Sequence, residues 1–265
     1  MGTSVGAIIC SLLYLNFSIE EIEKIFLEEF NLVKIFGQNI FFKLYNLIFN
    51  WGLYSSENFE KWLDTIIKKK TNISNATFKD LCFPEKDIFI FGTNINQQNP
   101  VIFSKYTTPN ITLAKAITIS MSIPGIITPT KIDNEYYVDG GYILSSSYKI
   151  ITDPDNYLFN QIYTGQFMTE NNRILLKNKF ISIEKNKIIN VQFDRDKLIK
   201  KIDNIIDYLQ SITVCAGNYQ SKTESNCNTI LLDLTGTIPS EFNISLENRE
   251  KLIELGYSKT SEIFI

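Results

Sequence analysis

The chain opens Met1-Gly2-Thr3-Ser4-Val5-Gly6-Ala7, and no other stretch narrows its fold as much. A serine at G-x-S-x-G spacing marks a hydroxyl exposed on a sharp turn between a β-strand and an α-helix. Small residues on either side let the helix pack close to the sheet, and an apolar helix must follow at once. Val5 to Phe17 supplies that helix. Taken alone, the two glycines are equally compatible with a frayed terminus. Only Met1 stands where the feeding strand should be, so the sequence predicts that Met1 is an internal methionine or a misassigned start, with a longer natural product.

The remaining patterns alternate between helix and strand, which points to the α/β class. Ser18-Ile19-Glu20-Glu21 is a capping box with Phe17 and Ile22 at the staple positions, opening a second helix expected to run to about Lys34. Ser56 caps a helix toward Lys70. Asp87 to Asn94 alternates as a strand, Asn99-Pro100 breaks it, and Val101 to Ser104 pairs back. Thr112 caps a helix to Met121, Pro124-Gly125 ends it, and Glu135 to Val138 is a strand running into Asp139-Gly140-Gly141. Further on come strands at Ile188 to Phe193 and Thr229 to Leu234, a helix from Asp196 to about Val214, and a last helix from Leu246 to about Phe264. With 265 residues, 44% of them hydrophobic, and no repeat or low-complexity linker, the chain fits one domain spanning residues 1–265.

The composition contains no histidine. That excludes a Ser-His-Asp triad, a Cys-His pair and the usual imidazole metal sites, so another group must take the proton of a serine nucleophile. Asp139 is a candidate: an aspartate at a strand end, followed by two glycines that allow close backbone approach, holds its carboxylate over the carboxyl edge of a sheet. On its own, Asp-Gly-Gly reads as an ordinary turn.

Together, a serine turn, a later Asp-Gly-Gly and the absence of imidazole resemble the patatin-like phospholipases. The likeness runs from Gly2 to about Leu144. It includes Gly2-Thr3-Ser4-Val5-Gly6-Ala7, Phe91-Gly92-Thr93-Asn94, Pro100-Val101-Ile102-Phe103-Ser104, Ala114-Lys115-Ala116-Ile117, Ser120-Met121-Ser122-Ile123-Pro124-Gly125 and Tyr137-Val138-Asp139-Gly140-Gly141. The resemblance implies a three-layer α/β/α fold around a central mixed, mostly parallel sheet, here lacking its first strand. It also implies hydrolysis of lipid acyl esters, with Ser4 as nucleophile and Asp139 as general base and acid. The Val5 N–H is the main oxyanion donor on this reading, with Gly2, Gly6, Gly140 and Gly141 as the remaining substrate- or oxyanion-binding positions. The implied partner is a lipid substrate, met by peripheral contact with a membrane or lipid aggregate, with no cofactor and no metal.

The chain departs from the family in two places. The glycine-rich turn that completes the family's oxyanion hole lies upstream of the serine, and Met1 alone precedes Gly2. The Asn and Pro common after the two glycines are replaced by Tyr142-Ile143-Leu144-Ser145. An aspartate near its ordinary pKa of about 3.9 is also a feeble base for a hydroxyl. A lipid-binding relative without turnover, or an acyltransferase or thioesterase on the same scaffold, therefore stands beside the hydrolase.

A formal charge of −3 and a pI near 5.3, with Lys68-Lys69-Lys70 as the main basic cluster, give no attraction for nucleic acid. That triplet suits the C-terminal end of a helix. Cys10, Cys82, Cys215 and Cys227 form no C-x-x-C pair, consistent with a reducing, cytoplasmic setting. The apolar run after Ser4 is too short to span a bilayer and lacks the basic flank of a signal peptide. Phe36 to Trp51 is unusually aromatic; such rings suit a lid or lipid interface, but core burial is their commoner fate and is the expectation here.

Overall fold

A computed structural model describes residues 1–36, 39–97, 99–142, 189–194, 228–233 and 245–264. The helix expected at Asp196 to Val214, and Cys215 and Cys227, lie outside the described residues.

Helix α1 (Val5–Tyr14) turns Ala7, Ile8 and Leu12 into the core. Helix α2 (Ile19–Lys24) begins with the expected capping box: Glu21 N–H donates to Ser18 Oγ at 3.2 Å and Ser18 N–H donates to Glu21 Oε2 at 2.7 Å. It does not run on to Lys34. The backbone widens into a π-turn at Ile25–Glu29, stops, and restarts as α3 (Leu32–Phe36). The wide turn and the break leave carbonyls without helical donors. Arg249, from the last helix, donates to those of Phe26, Leu27 and Phe30 at 3.2, 3.3 and 3.0 Å.

Helix α4 (Ile40–Asn50) is capped by Asn39, whose Oδ1 accepts from Phe41 N–H, and it ends at Trp51 in a left-handed conformation. It leads into β1 (Gly52–Tyr54) and α5 (Ser56–Thr71), whose N-cap is Ser55, one residue before the expected Ser56. Phe59, Leu63, Ile66 and Ile67 fall on one face of α5 and are buried, each worth about 1.5 to 3 kcal/mol of removed apolar surface. The lysines at its end pair with acids of the α2 region, Lys69 with Glu29 at 2.7 Å and Lys70 with Glu21 at 2.6 Å.

Strands β2 (Ile90–Asn94) and β3 (Asn99–Phe103) form the expected antiparallel hairpin. Asn94 Oδ1 closes its turn by accepting from the N–H groups of Asn96 and Gln97. Helix α6 (Leu113–Met121) starts where Thr112 accepts from Lys115 N–H, and all its residues except Lys115 are buried. It is therefore central, touching β2 on one side and α5 and α1 on others. Three short strands follow: β4 (Gly125–Ile127), β5 (Thr130–Ile132) and β6 (Glu135–Asp139), then a 3-10 turn at Gly140–Tyr142. Asp133 and Asn134, both at positive φ, make the tight turn joining β5 to β6. Strands β7 (Ile189–Asp194) and β8 (Asn228–Asp233) and helix α7 (Leu246–Phe264) complete the described elements.

The α/β class expected from the sequence is observed. Strand pairing is mixed: the four-stranded sheet, in order β3-β2-β6-β5, is antiparallel because short turns join β2 to β3 and β5 to β6. Parallel pairing occurs between β1 and β4, between β7 and β8, and at a single bridge from Gly2 to Ile90. Among the described residues no helix is long and apolar enough to cross a membrane.

The aromatic stretch contradicts the expectation of burial. No residue of α4 is buried, and Phe41, Phe42, Tyr45, Ile48, Phe49 and Trp51 are exposed.

Candidate active site

The edge of β2 that faces β6 assembles the site. Phe89 O accepts from Gly2 N–H at 3.0 Å and Phe91 N–H donates to Gly2 O at 3.1 Å. Further along, Ile95 N–H donates to Tyr136 O of β6. Alternate residues of a strand point their backbone groups the same way, so Gly2 and the end of β6 sit in line on one edge. The two parts of the chain that carry Ser4 and Asp139 meet there.

Between Gly2 and α1 the chain reverses at Ser4, whose backbone has φ 55° and ψ −129°. A residue with a Cβ adopts this conformation at a cost on the order of 1 to 3 kcal/mol, so the surroundings must hold it. Ser4 N–H donates to Ser120 Oγ at 2.9 Å, and Ser120 Oγ donates in turn to Phe91 O at 2.6 Å. Ser4 O accepts from Ala7 N–H. Ser120 thus ties the strained residue to β2 from the last turn of α6. The sequence places Ser120 within a matching motif and assigns it no role, because its partners are remote in the chain.

The two glycines flanking Ser4 behave differently. A Cβ on Gly2 would stand 2.3 Å from Gly6 O, so the close approach there requires glycine. A Cβ on Gly6 would meet nothing within 4 Å, so packing does not require the second one.

Asp139 ends β6. Its N–H donates to Ser122 O at 3.0 Å, and its backbone oxygen accepts from Thr93 Oγ1 at 3.0 Å. Its carboxylate Oδ1 accepts from Gly141 N–H at 2.6 Å. Gly140 is obligatory in its own way, since a Cβ there would lie 2.6 Å from Phe91 O. The Ser4 hydroxyl donates to Met121 Sδ at 3.6 Å, and the Ser4 side chain lies near enough to Asp139 to act on its carboxylate.

Burial dominates the electrostatics. Asp139 is buried, and desolvation of its charged form raises its pKa from 3.8 to about 6. The hydrogen bond from Gly141 N–H, and after it the nearby Ser4 side chain, favour the ionised form and pull the other way. An aspartate at its ordinary pKa is a feeble base for a hydroxyl; with its pKa near 6, this carboxylate sits close to neutral pH, where it can both take up and release a proton.

The backbone donors are partly committed. Gly2 N–H serves Phe89, Ser4 N–H serves Ser120, and Gly141 N–H serves Asp139, so these build the turn and do not point at a ligand. The Val5 and Gly6 N–H groups belong to the first turn of α1, which has no intrahelical acceptor for them and carries the positive end of the helix dipole. From Ser4, Val5, Ile9 and Leu13 run along α1 at every fourth position as an exposed apolar ridge. Among the described residues no cluster of three or more acids or cysteines could hold a metal ion.

Residues 1–148 match the family model described as patatin-like phospholipase. Over its whole length the chain is 30% identical to the uncharacterized protein R571 of Acanthamoeba polyphaga mimivirus, covering 82% of that protein. It is also 35% identical over 144 residues to the probable lipid hydrolase 463L of Invertebrate iridescent virus 6, which takes in 53% of this chain and 48% of that protein.

Proposed function

The chain belongs to the patatin-like phospholipase family, and from that premise we propose that it hydrolyses carboxylic ester bonds of phospholipids or related acyl lipids, with Ser4 as nucleophile and Asp139 as general base and acid. In the first half-reaction Ser4 Oγ attacks the ester carbonyl while Asp139 takes the hydroxyl proton. The tetrahedral intermediate collapses as the bond to the leaving alcohol breaks and Asp139 hands that alcohol the proton. In the second half, Asp139 takes a proton from water, the hydroxide attacks the acyl-serine, and the fatty acid leaves as the proton returns to Ser4 Oγ. The N–H groups of Val5 and Gly6, with the α1 dipole behind them, stabilise the oxyanion. The Val5, Ile9 and Leu13 ridge offers an apolar track for an acyl chain beside the nucleophile. The unpaired Cys10 and Cys82 fit a reducing, cytoplasmic setting.

The observation that carries this reading is the buried Asp139 beside a serine held in a strained turn, its pKa raised to about 6. The test is turnover of a soluble p-nitrophenyl ester and of phospholipid vesicles by the wild type, Ser4→Ala and Asp139→Asn, each checked for cooperative thermal unfolding. Both variants are expected to fold and to fall to background; wild-type turnover in either would contradict the assignment. A second reading, lipid binding without turnover, is favoured by the committed N–H groups of Gly2, Ser4 and Gly141, since one missing oxyanion donor costs on the order of 100- to 1000-fold in rate. Vesicle binding by a wild-type chain that hydrolyses neither substrate would support it.

A further inference from the structure

Helix α4 is amphipathic and faces the wrong way for a water-soluble surface. Its polar residues Lys43, Asn46 and Asn50 follow one another at spacings of three and four, so they share one stripe, and the apolar residues fill the rest of the circumference. The least exposed positions are Lys43, Asn46 and Leu47, on or beside the polar stripe. Lys43 Nζ lies 4.9 Å from the ring centre of Tyr54 on β1, which shows the polar side docked against the protein. Phe41 and Phe42 are 79% and 69% exposed, and Ile48 and Phe49 stand out with them. Burial of apolar surface would have turned this face inward, so an exposed face of this kind marks a surface that meets a lipid phase or a partner.

Charge selects the phase. From Phe30 to Ser56 the chain has no Asp or Glu, although the whole protein carries 29 acids, and Lys34 and Lys43 are the only charged residues in the stretch. A surface cleared of carboxylates presents no like charge to repel anionic headgroups, and Lys34, in the same stretch, is exposed. Tyr45 and Trp51, exposed amphipathic rings suited to the headgroup boundary, lie on the helix and at its end. The face is also braced to the site. β1, which continues α4, pairs in parallel with β4, a few residues after Ser120 to Ser122, and the Trp51 ring meets Tyr136 of β6 edge-on at 5.0 Å.

We propose that α4 is a lipid-docking helix by which the protein lies on the surface of a phospholipid bilayer, presenting the Ser4 turn to its substrate. The proposal rests on the reading of the chain as an acyl-lipid hydrolase, and its test does not depend on turnover. Co-sedimentation with vesicles of phosphatidylcholine doped with phosphatidylglycerol is compared for the wild type, Ser4→Ala and Phe41→Glu/Phe42→Glu. The two glutamates fall in the first turn of α4, where acids favour the helix, so the variant should fold; Ile48→Ser serves as a second, uncharged probe. Vesicle partitioning is expected to fall on the order of 100-fold in the double variant, from two phenyl rings no longer buried in lipid. Ser4→Ala should bind as the wild type does, and the double variant should keep its rate on a soluble ester. With Trp62→Phe leaving Trp51 as sole reporter, vesicles should shift its emission to the blue. Equal partitioning of wild type and double variant would overturn the proposal. So would a dimer that the glutamates dissolve and vesicles do not disturb, since the helix would then face a second copy.

Discussion

At the Ser4 turn a carboxylate is buried, whereas at α4 a set of aromatic side chains stands in water with the polar edge of its helix turned inward. The first arrangement raises the Asp139 pKa to about 6; the second leaves Phe41, Phe42 and Phe49 with none of the stabilisation that burial gives Phe59. Both cost folding free energy, and the two costs have opposite chemistry. The ordinary rule holds at α5, which buries its apolar face, and at α6, which buries its whole apolar length. Departures from local consistency concentrate where proteins act on other molecules. A buried carboxylate and an exposed apolar face are what the proposed hydrolysis of an ester at a lipid surface would require.

The contrast can be broken by mutation, and the largest effect expected is on chemistry. Ser4→Ala should lower kcat/KM on a soluble ester by on the order of 10⁴-fold or more, as removal of a nucleophile does in serine hydrolases, with the thermal melt little changed. Next comes paired truncation of two phenylalanines. Phe59→Ala in α5 should cost about 3 to 5 kcal/mol in denaturant unfolding, while Phe41→Ala should cost nearly nothing, because only the first opens a cavity. Equal losses would mean that α4 is covered in solution.

Asp139→Asn sharpens the comparison from the side of stability. The folded pKa of about 6 lies above the ordinary 3.8, so the folded state keeps a proton that the unfolded chain has released between those values. Stability from this group is therefore complete below the lower value and lost as pH rises through the upper one. The Asn variant escapes that loss and should be more stable than the wild type near pH 8, by up to about 3 kcal/mol, with the gap closing near pH 4. Melting curves across pH check it, and a constant gap would mean that burial is not what shifts this group. Wild-type kcat/KM should rise with pH to a plateau above about 6, as Asp139 ionises. The smallest effect is expected at Ser120→Ala, which leaves Ser4 N–H and Phe91 O without their shared partner. A loss of about 1 to 3 kcal/mol in stability and about tenfold in kcat, with KM unchanged, would mark Ser120 as a positioning residue.

The same contrast explains what the sequence could reveal. The Ser18 capping box, the Thr112 cap and the Ser4 turn are chemistry between residues close in the chain, and each was readable as such. Asp139 was readable as a strand-end carboxylate, but its raised pKa depends on burial by elements remote in sequence. Periodicity identifies the apolar face of α4 without saying whether that face meets the core or solvent, and the usual fate of aromatic rings gave the wrong answer. The short strands β1, β4 and β5 escaped because three residues carry too little alternation; the Asp133-Asn134 turn was the one local signal for β5. The break after α2 escaped because Arg249, whose guanidinium binds the freed carbonyls, lies more than two hundred residues away.

The central claim is that the Ser4 hydroxyl, strained at the head of α1 and served by Asp139, is the reactive nucleophile. The direct measurement is treatment with a fluorophosphonate probe followed by peptide mass mapping of wild type, Ser4→Ala and Asp139→Asn. The account predicts one adduct on the peptide carrying Ser4, absent in Ser4→Ala and strongly slowed in Asp139→Asn. An adduct on another serine, or equal labelling of the Asp139→Asn variant, would contradict it.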